Sequence, residues 1–339
     1  MTDTGSMPNY YGGDKDWEAY ARSRPVYPKA LFHKIRDYIG FSQQPSTTAL
    51  DYGTGAGTIV GDLLSICGIS KVIGTDMNKH QLNVGVADFK QKGIGEDQFS
   101  TICAPAGGLN QLATGSIDLI TAAEAVHWFD QPTWLQECAR LLRADGGTVA
   151  AWYYTFWCQI LDRPECVRPL HAIWIALALK SQEEYANQTL PASLLDTART
   201  LVGNVRPSDR YFTDHVNIHY LLPESVLSQR PDQEEPESAF RRAVSTPPRS
   251  LYSTAETQIH QAANTDEVFL KRDGWTVAHL LRYIESLHFM DVDAWVKSPE
   301  GSKLVGDFER SLGDNKTFAV GWHMGVIMAR RNRTPFEQV

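Results

Sequence analysis

The run Ala49-Leu50-Asp51-Tyr52-Gly53-Thr54-Gly55-Ala56-Gly57 constrains this chain more than any other stretch. An apolar strand end meets three glycines at alternate positions, and a helical pattern follows over Thr58–Ile66. That order describes a strand, a tight turn and the first turn of a helix. Glycine in such a turn keeps side chains out of the way, so backbone N–H groups and a helix N-terminus face a ligand. Lys71-Val72-Ile73-Gly74-Thr75-Asp76 reads as a second strand ending in an acid. A carboxylate at that place suits the two hydroxyls of a ribose.

The spacing then separates the nucleoside ligands. Gly53-x-Gly55-x-x-Thr58 fails the third position of the dinucleotide fingerprint, and no phosphate-cradling G-x-x-x-x-G-K-[ST] occurs. Asp51, just before the turn, repels a pyrophosphate and suits an amino group. S-adenosylmethionine (SAM) carries an ammonium, a sulfonium and a ribose, and no phosphate. The expected cofactor residues are Asp51, Gly53, Gly55, Gly57 and Asp76, with Met77 beside them to pack on the adenine.

Further along, Ser116-Ile117-Asp118-Leu119-Ile120-Thr121-Ala122-Ala123-Glu124-Ala125-Val126-His127-Trp128-Phe129-Asp130 resembles the fourth strand and following loop of the class I SAM-dependent methyltransferases. Its His-Trp-Phe is similar to the trans-aconitate methyltransferase-like branch and its fungal small-molecule relatives. Leu141-Leu142-Arg143-Ala144-Asp145-Gly146-Gly147-Thr148-Val149-Ala150 resembles the helix, turn and fifth strand. Tyr20-Ala21-Arg22-Ser23-Arg24-Pro25-Val26-Tyr27-Pro28 resembles that branch's Y-x-x-x-R-P-x-Y-P segment.

The resemblance implies a Rossmann-like α/β fold, with a seven-stranded, mostly parallel sheet, helices on both faces and an inserted cap. It also implies that Tyr20 and Arg24 close over the methionine end, that Ala122 lies against SAM, and that the product is S-adenosylhomocysteine. The His127–Trp128 loop would face the methyl acceptor, with His127 or Glu124 as base. One departure stands out. The family's acid after the third strand has no counterpart in Thr101-Ile102-Cys103-Ala104-Pro105-Ala106-Gly107-Gly108-Leu109, so the adenine edge must be met by backbone or from elsewhere.

The hydropathy pattern gives strands at 48–52, 71–75, 99–104, 117–121 and 147–152, alternating with helices at 29–39, 58–66, 79–92 and 131–142. A further helix is expected at Asp14–Tyr20. The organisation expected is a SAM-binding core over 1–155, a cap over 156–270 and a C-terminal part over 271–339 that completes the sheet. Residues 224–266 are polar and rich in Pro, Ser, Gln, Glu and Arg, and read as a long loop. A helix at 275–287 and one last strand over 317–329 follow. The aromatic residues Trp128, Trp152, Tyr153, Trp157 and Trp174 are candidates for an acceptor pocket.

Composition narrows the partners. The formal net charge is -8 with no long basic run, which argues against a nucleic-acid surface. No apolar run is long enough to span a bilayer. Five cysteines without a C-x-x-C pair or a secretion signal read as reduced thiols in the cytoplasm. His215 and His219 sit four apart on an expected strand, on its polar face, and lack a third metal ligand, so no metal is expected. The function expected is transfer of a methyl group from SAM to a small molecule, on a carboxylate or hydroxyl of an apolar or aromatic metabolite. A SAM-binding protein that does not transfer methyl groups, a pericyclase-like relative, and N- or protein methylation stay open as alternatives.

Overall fold

The computed structural model describes residues 23–40, 46–144, 146–185, 201–227, 257–287 and 291–337. The expected helix at Asp14–Tyr20, Tyr20 itself and most of the 224–266 segment lie outside them.

The first half alternates helix and strand as expected: α1 (Lys29–Ile39), β1 (Thr48–Tyr52), α2 (Val60–Ser65), β2 (Lys71–Asp76), α3 (Lys79–Gln91), β3 (Phe99–Cys103), β4 (Leu119–Ala123), α4 (Gln131–Leu141) and β5 (Thr148–Tyr154). Local chemistry sets the helix ends. Gly40, in the left-handed region at φ 65°, terminates α1 and returns its N–H to the Arg36 carbonyl. The Asn78 side chain caps α3 by accepting from the N–H groups of His80 and Gln81. Asp130 caps α4 in the same way through the Thr133 N–H. Every residue of β5 is buried, as a strand covered on both faces must be.

After β5 come β6 (Gln159–Ile160), α5 (Val167–Tyr185), β7 (Phe212–Leu221), α6 (Glu224–Leu227), β8 (Thr257–Gln261), β9 (Leu270–Trp275), α7 (Val277–Ser286), α8 (Val292–Lys297), α9 (Pro299–Ser311), β10 (Phe318–Trp322) and β11 (Met324–Arg331). The main sheet has the order β3-β2-β1-β4-β5-β11-β7-β8. Strands β1 to β5 are parallel, and β11 runs antiparallel between β5 and β7. The sheet therefore has eight strands where seven were expected. The additional strand, β8, lies inside the segment read as loop. It pairs with β7 at the sheet edge and exposes most of its side chains. An edge strand of this kind needs a backbone partner rather than apolar side chains, so its sequence carries no hydrophobic signal.

The expected last strand is two strands. It breaks at His323, leaving β10 in a separate antiparallel sheet of order β6-β10-β9 and β11 in the main sheet. His323 is buried at the crossing. Its carbonyl accepts the Thr155 N–H and its Nδ1 accepts the Leu222 N–H. His219, expected on a polar face of β7, is fully buried instead.

Two hydrophobic cores cover the two sheet faces. Leu31, Phe32 and Ile35 of α1, with Val60 and Leu63 of α2, pack on the face that bears Trp152 and Tyr154. Trp134, Leu135 and Cys138 of α4 pack with Leu201, Val202 and Tyr153 on the other. The alternation along β5 divides its aromatic residues in this way, since successive side chains point to opposite faces. Among the described residues, no helix is long and apolar enough to cross a membrane.

Candidate functional site

Strand order reverses between β1 and β4, and in an open α/β sheet ligands bind outside the carboxyl ends of the strands at such a point. The glycine turn leaves β1 there. Gly53, Gly55 and Gly57 all take positive φ, at 66°, 55° and 82°. The protein's own packing supplies a further reason for glycine. A Cβ on Gly53 would lie 2.5 Å from the Ala125 Cβ, one on Gly55 2.7 Å from Gln81 Oε1, and one on Gly57 2.7 Å from the Phe89 ring. Positive φ favours glycine at all three positions, and close packing adds to it at Gly53 and Gly57, whereas the Gln81 side chain at Gly55 can move aside. Helix α3 closes on the turn from below, since a Cβ on Gly85 would meet the Ala56 carbonyl at 2.8 Å.

Asp76 ends β2 facing the turn. Its carboxylate accepts the Gly55 N–H at 3.0 Å and the Asn78 N–H at 2.8 Å. Burial raises its pKa, and these backbone N–H groups oppose the rise. Met77, next along, is 63% exposed at the rim. The exposed Cys103 lies opposite Asp76 in the β2–β3 register, and its Sγ contacts the Met77 carbonyl at 3.6 Å. Asp51 is buried under the turn and accepts the Thr121 hydroxyl at 2.7 Å. Burial pushes its pKa up to about 7, against the hydrogen bonds from Thr121 and Thr54. Ala122 is buried in β4.

This donor set fits SAM. A carboxylate stands at the end of β2 for a ribose, an open rim carries Met77 for an apolar base, and the turn is the junction of strand and helix. The loop after β3 holds no acid, as the sequence indicates, and is pinned from below. Glu137 accepts the Leu109 N–H, and Arg140 donates to the Leu109 and Leu112 carbonyls.

A second group of buried polar and aromatic side chains comes from the loop after β4 and the end of β5. Glu124 has φ 51°, uncommon for a non-glycine residue and a place where backbone strain is held by its surroundings. Its backbone N–H bonds the Trp152 carbonyl at 3.0 Å, and its carboxylate accepts the Tyr154 N–H. Burial pushes the Glu124 carboxyl up to about 8, with the Tyr154 N–H and the Arg24 guanidinium opposing. His127, in a 3-10 turn over Val126–Trp128, is 3% exposed. Burial first, and the Arg24 charge second, lower its pKa to about 3. The imidazole is therefore neutral at physiological pH. Its ring centroid lies 5.1 Å from Trp128, 5.2 Å from Tyr153 and 6.3 Å from Phe156.

Arg24 comes to this point from the N-terminal segment. Its guanidinium donates to the Tyr154 hydroxyl at 3.2 Å and to the Ser286 carbonyl at 2.8 Å, at the C-terminal end of α7. Its charge acts on Tyr27, Glu124, His127, Tyr153 and Tyr283. Arg24, Glu124, His127, Trp128 and Tyr153 are thus brought together. Trp152, Trp157 and Trp174 are packed in the core on the other face. Trp152 meets Tyr27 and Phe32 edge-on, and Trp157 meets Trp174 at 4.7 Å. Tyr154, Phe156 and Ser286 are neighbours the sequence reading did not single out. Only the strand alternation that separates Tyr154 from Tyr153 hints at the first, and nothing local marks Ser286.

Residues 50–150 match a family model described as a methyltransferase domain. The chain is similar to a Saccharomyces cerevisiae protein named as an S-adenosylmethionine-dependent methyltransferase, CRG1. Identity is 28% over 163 residues, 48% of this chain and about half of that protein at 53%. It is 26% identical to the methyltransferase AacuQ of Aspergillus aculeatus over 94% of each chain. A solved structure named as a type II methyltransferase, of Anaeromyxobacter dehalogenans, superposes with a TM-score of 0.54 over 91% of this chain and 97% of that one, at 17% identity. That likeness is one of fold.

Proposed function

We propose, for a chain that belongs to the class I SAM-dependent methyltransferases, that the methyl acceptor is an oxygen of a small apolar or aromatic molecule bound as its anion. One observation carries this reading: the Arg24 guanidinium, bonded to the Tyr154 hydroxyl, acts on a buried cluster of aromatic rings whose imidazole is neutral and whose carboxyl holds its proton near neutral pH. A cation beside groups held neutral favours an oxyanion. SAM supplies the activated methyl group when bound. The chain's residues then have to hold the oxygen in line and keep water out.

The two candidate bases differ in strength. An imidazole held near 3 is a poor acceptor for a phenol proton, whose ordinary pKa is about 10. A carboxylate held near 8 is much better matched. His127 accordingly serves as a wall; where the acceptor is a hydroxyl, the proton passes to the ionised fraction of Glu124, which grows as pH rises toward 8. A carboxylate acceptor needs neither.

Methyl-labelled SAM and a panel of aromatic carboxylic acids and phenols test the reading. Label recovered in the small-molecule fraction, released by mild alkali for an ester or stable for an ether, is the expected result. Label found only on nitrogen or in precipitated protein overturns it. SAM binding without any transfer returns the non-catalytic alternative.

A further inference from the structure

We infer that the Tyr153 hydroxyl is the donor that seats the acceptor oxygen, making Tyr153 the specificity-determining contact for an oxyanion. The inference rests on the proposed oxygen acceptor and names the group that recognises it. Tyr153 is fully buried near the end of β5, and its hydroxyl has no hydrogen-bond partner among the described residues. A buried phenol without a partner costs free energy in the folded protein, and an acceptor oxygen brought by a ligand would relieve that cost.

The surroundings say where that acceptor would lie. The Tyr153 ring stands edge-on to His127 at 5.2 Å and to Phe156 at 5.6 Å. Across the sheet, Tyr153 pairs with Gly325, and Gly325 with His219. The backbone over that row is so close that a Cβ on Gly325 would lie 1.9 Å from the Leu201 carbonyl. Leu201 therefore roofs the row on one side, while His127 of the loop after β4 and Phe156 lie against the Tyr153 ring. The charges of Arg24 and Glu124 and the Tyr154 phenol act on Tyr153, which places its hydroxyl in the same field as the proposed anion site.

The arrangement has a chemical consequence. The hydrogen bond a neutral phenol donates to an oxyanion is charge-assisted and stronger than any it makes with the protonated form, so an acceptor that arrives charged is preferred. Tyr153 retains its own proton throughout, because burial raises its pKa.

The probe is 4-nitrophenol, whose anion absorbs in the visible, titrated into the full chain with S-adenosylhomocysteine present. The expected result is preferential binding of the anion, seen as a lowered apparent pKa of the bound probe. Tyr153→Phe should keep its affinity for S-adenosylhomocysteine, bind the probe about tenfold to a hundredfold more weakly, and return the probe's pKa toward its free value. If the wild type lowers the probe's pKa and Tyr153→Phe does so equally, Tyr153 is not the donor, while the oxyanion reading stands. If the wild type shows no preference for the anion, or does not bind the probe, that reading fails and the inference with it. Should Tyr153→Phe lose S-adenosylhomocysteine as well, nitrobenzene replaces the mutation. Nitrobenzene bound to the wild type as tightly as 4-nitrophenol overturns the inference, and weaker binding by tenfold or more supports it.

Discussion

Glu124→Gln should stabilise the protein more as pH rises. The folded carboxyl titrates near 8, against an ordinary value of 4.5, because it is enclosed by protein. Below about pH 4 both the folded and unfolded chains hold this proton, so the group makes no pH-dependent contribution. Between 4.5 and 8 the unfolded chain releases it while the folded chain keeps it. The folded state then binds more protons, and stability falls with rising pH by at most about 1.4 kcal/mol per unit. Above 8 both forms are ionised and the penalty levels off. Over the whole window, from 4.5 to about 8, the upper bound is about 5 kcal/mol. Glutamine mimics the protonated acid. Its amide oxygen can still accept the Tyr154 N–H that the carboxylate now accepts. Asp51 also titrates in this range, but it does so in both proteins and cancels in the comparison. Urea unfolding of both proteins from about pH 4 to about pH 9 gives the difference directly. A difference that stays flat across that range would refute the reasoning, because it would mean that Glu124 ionises in the folded protein as freely as in water.

Two further substitutions address the cofactor turn. Asp76→Ala removes the acceptor of the Gly55 and Asn78 N–H groups and should weaken SAM binding by more than about tenfold in calorimetry while the fold persists; unchanged affinity would remove the ribose assignment. Gly57→Ala must hold a Cβ at φ 82° and 2.7 Å from the Phe89 ring, so a loss of about 1–3 kcal/mol is expected in urea unfolding. An unshifted midpoint would show that the turn relaxes freely.

The first half of the chain was legible because its information is local. Strand and helix periods, the glycine turn, the acid closing β2 and the caps at Asn78 and Asp130 all act within a few residues of one another. A parallel sheet with covered faces follows from them almost directly. The same local patterns also placed His127 and Glu124 in one loop. They do not show that burial lowers the pKa of one and raises that of the other, because burial is a property of the packed chain. The second half was harder for a related reason. Strand β8 is polar and held by backbone pairing at an edge, and the break at His323 is set by which sheet each half joins. Neither leaves a hydrophobic period to read.

What the sequence determined by itself, then, was the class of fold and the kind of cofactor. Those depend on residue types at short fixed spacings. The tertiary structure decided which face of the sheet each aromatic residue occupies. One residue of register on β5 sends Tyr153 to one face and Trp152 to the other. It also decided the partners of Arg24, whose hydrogen bonds reach 130 and 262 residues along the chain to Tyr154 and Ser286. Contacts at that separation exist only once the sheet has closed, because the chain between them must first be folded out of the way.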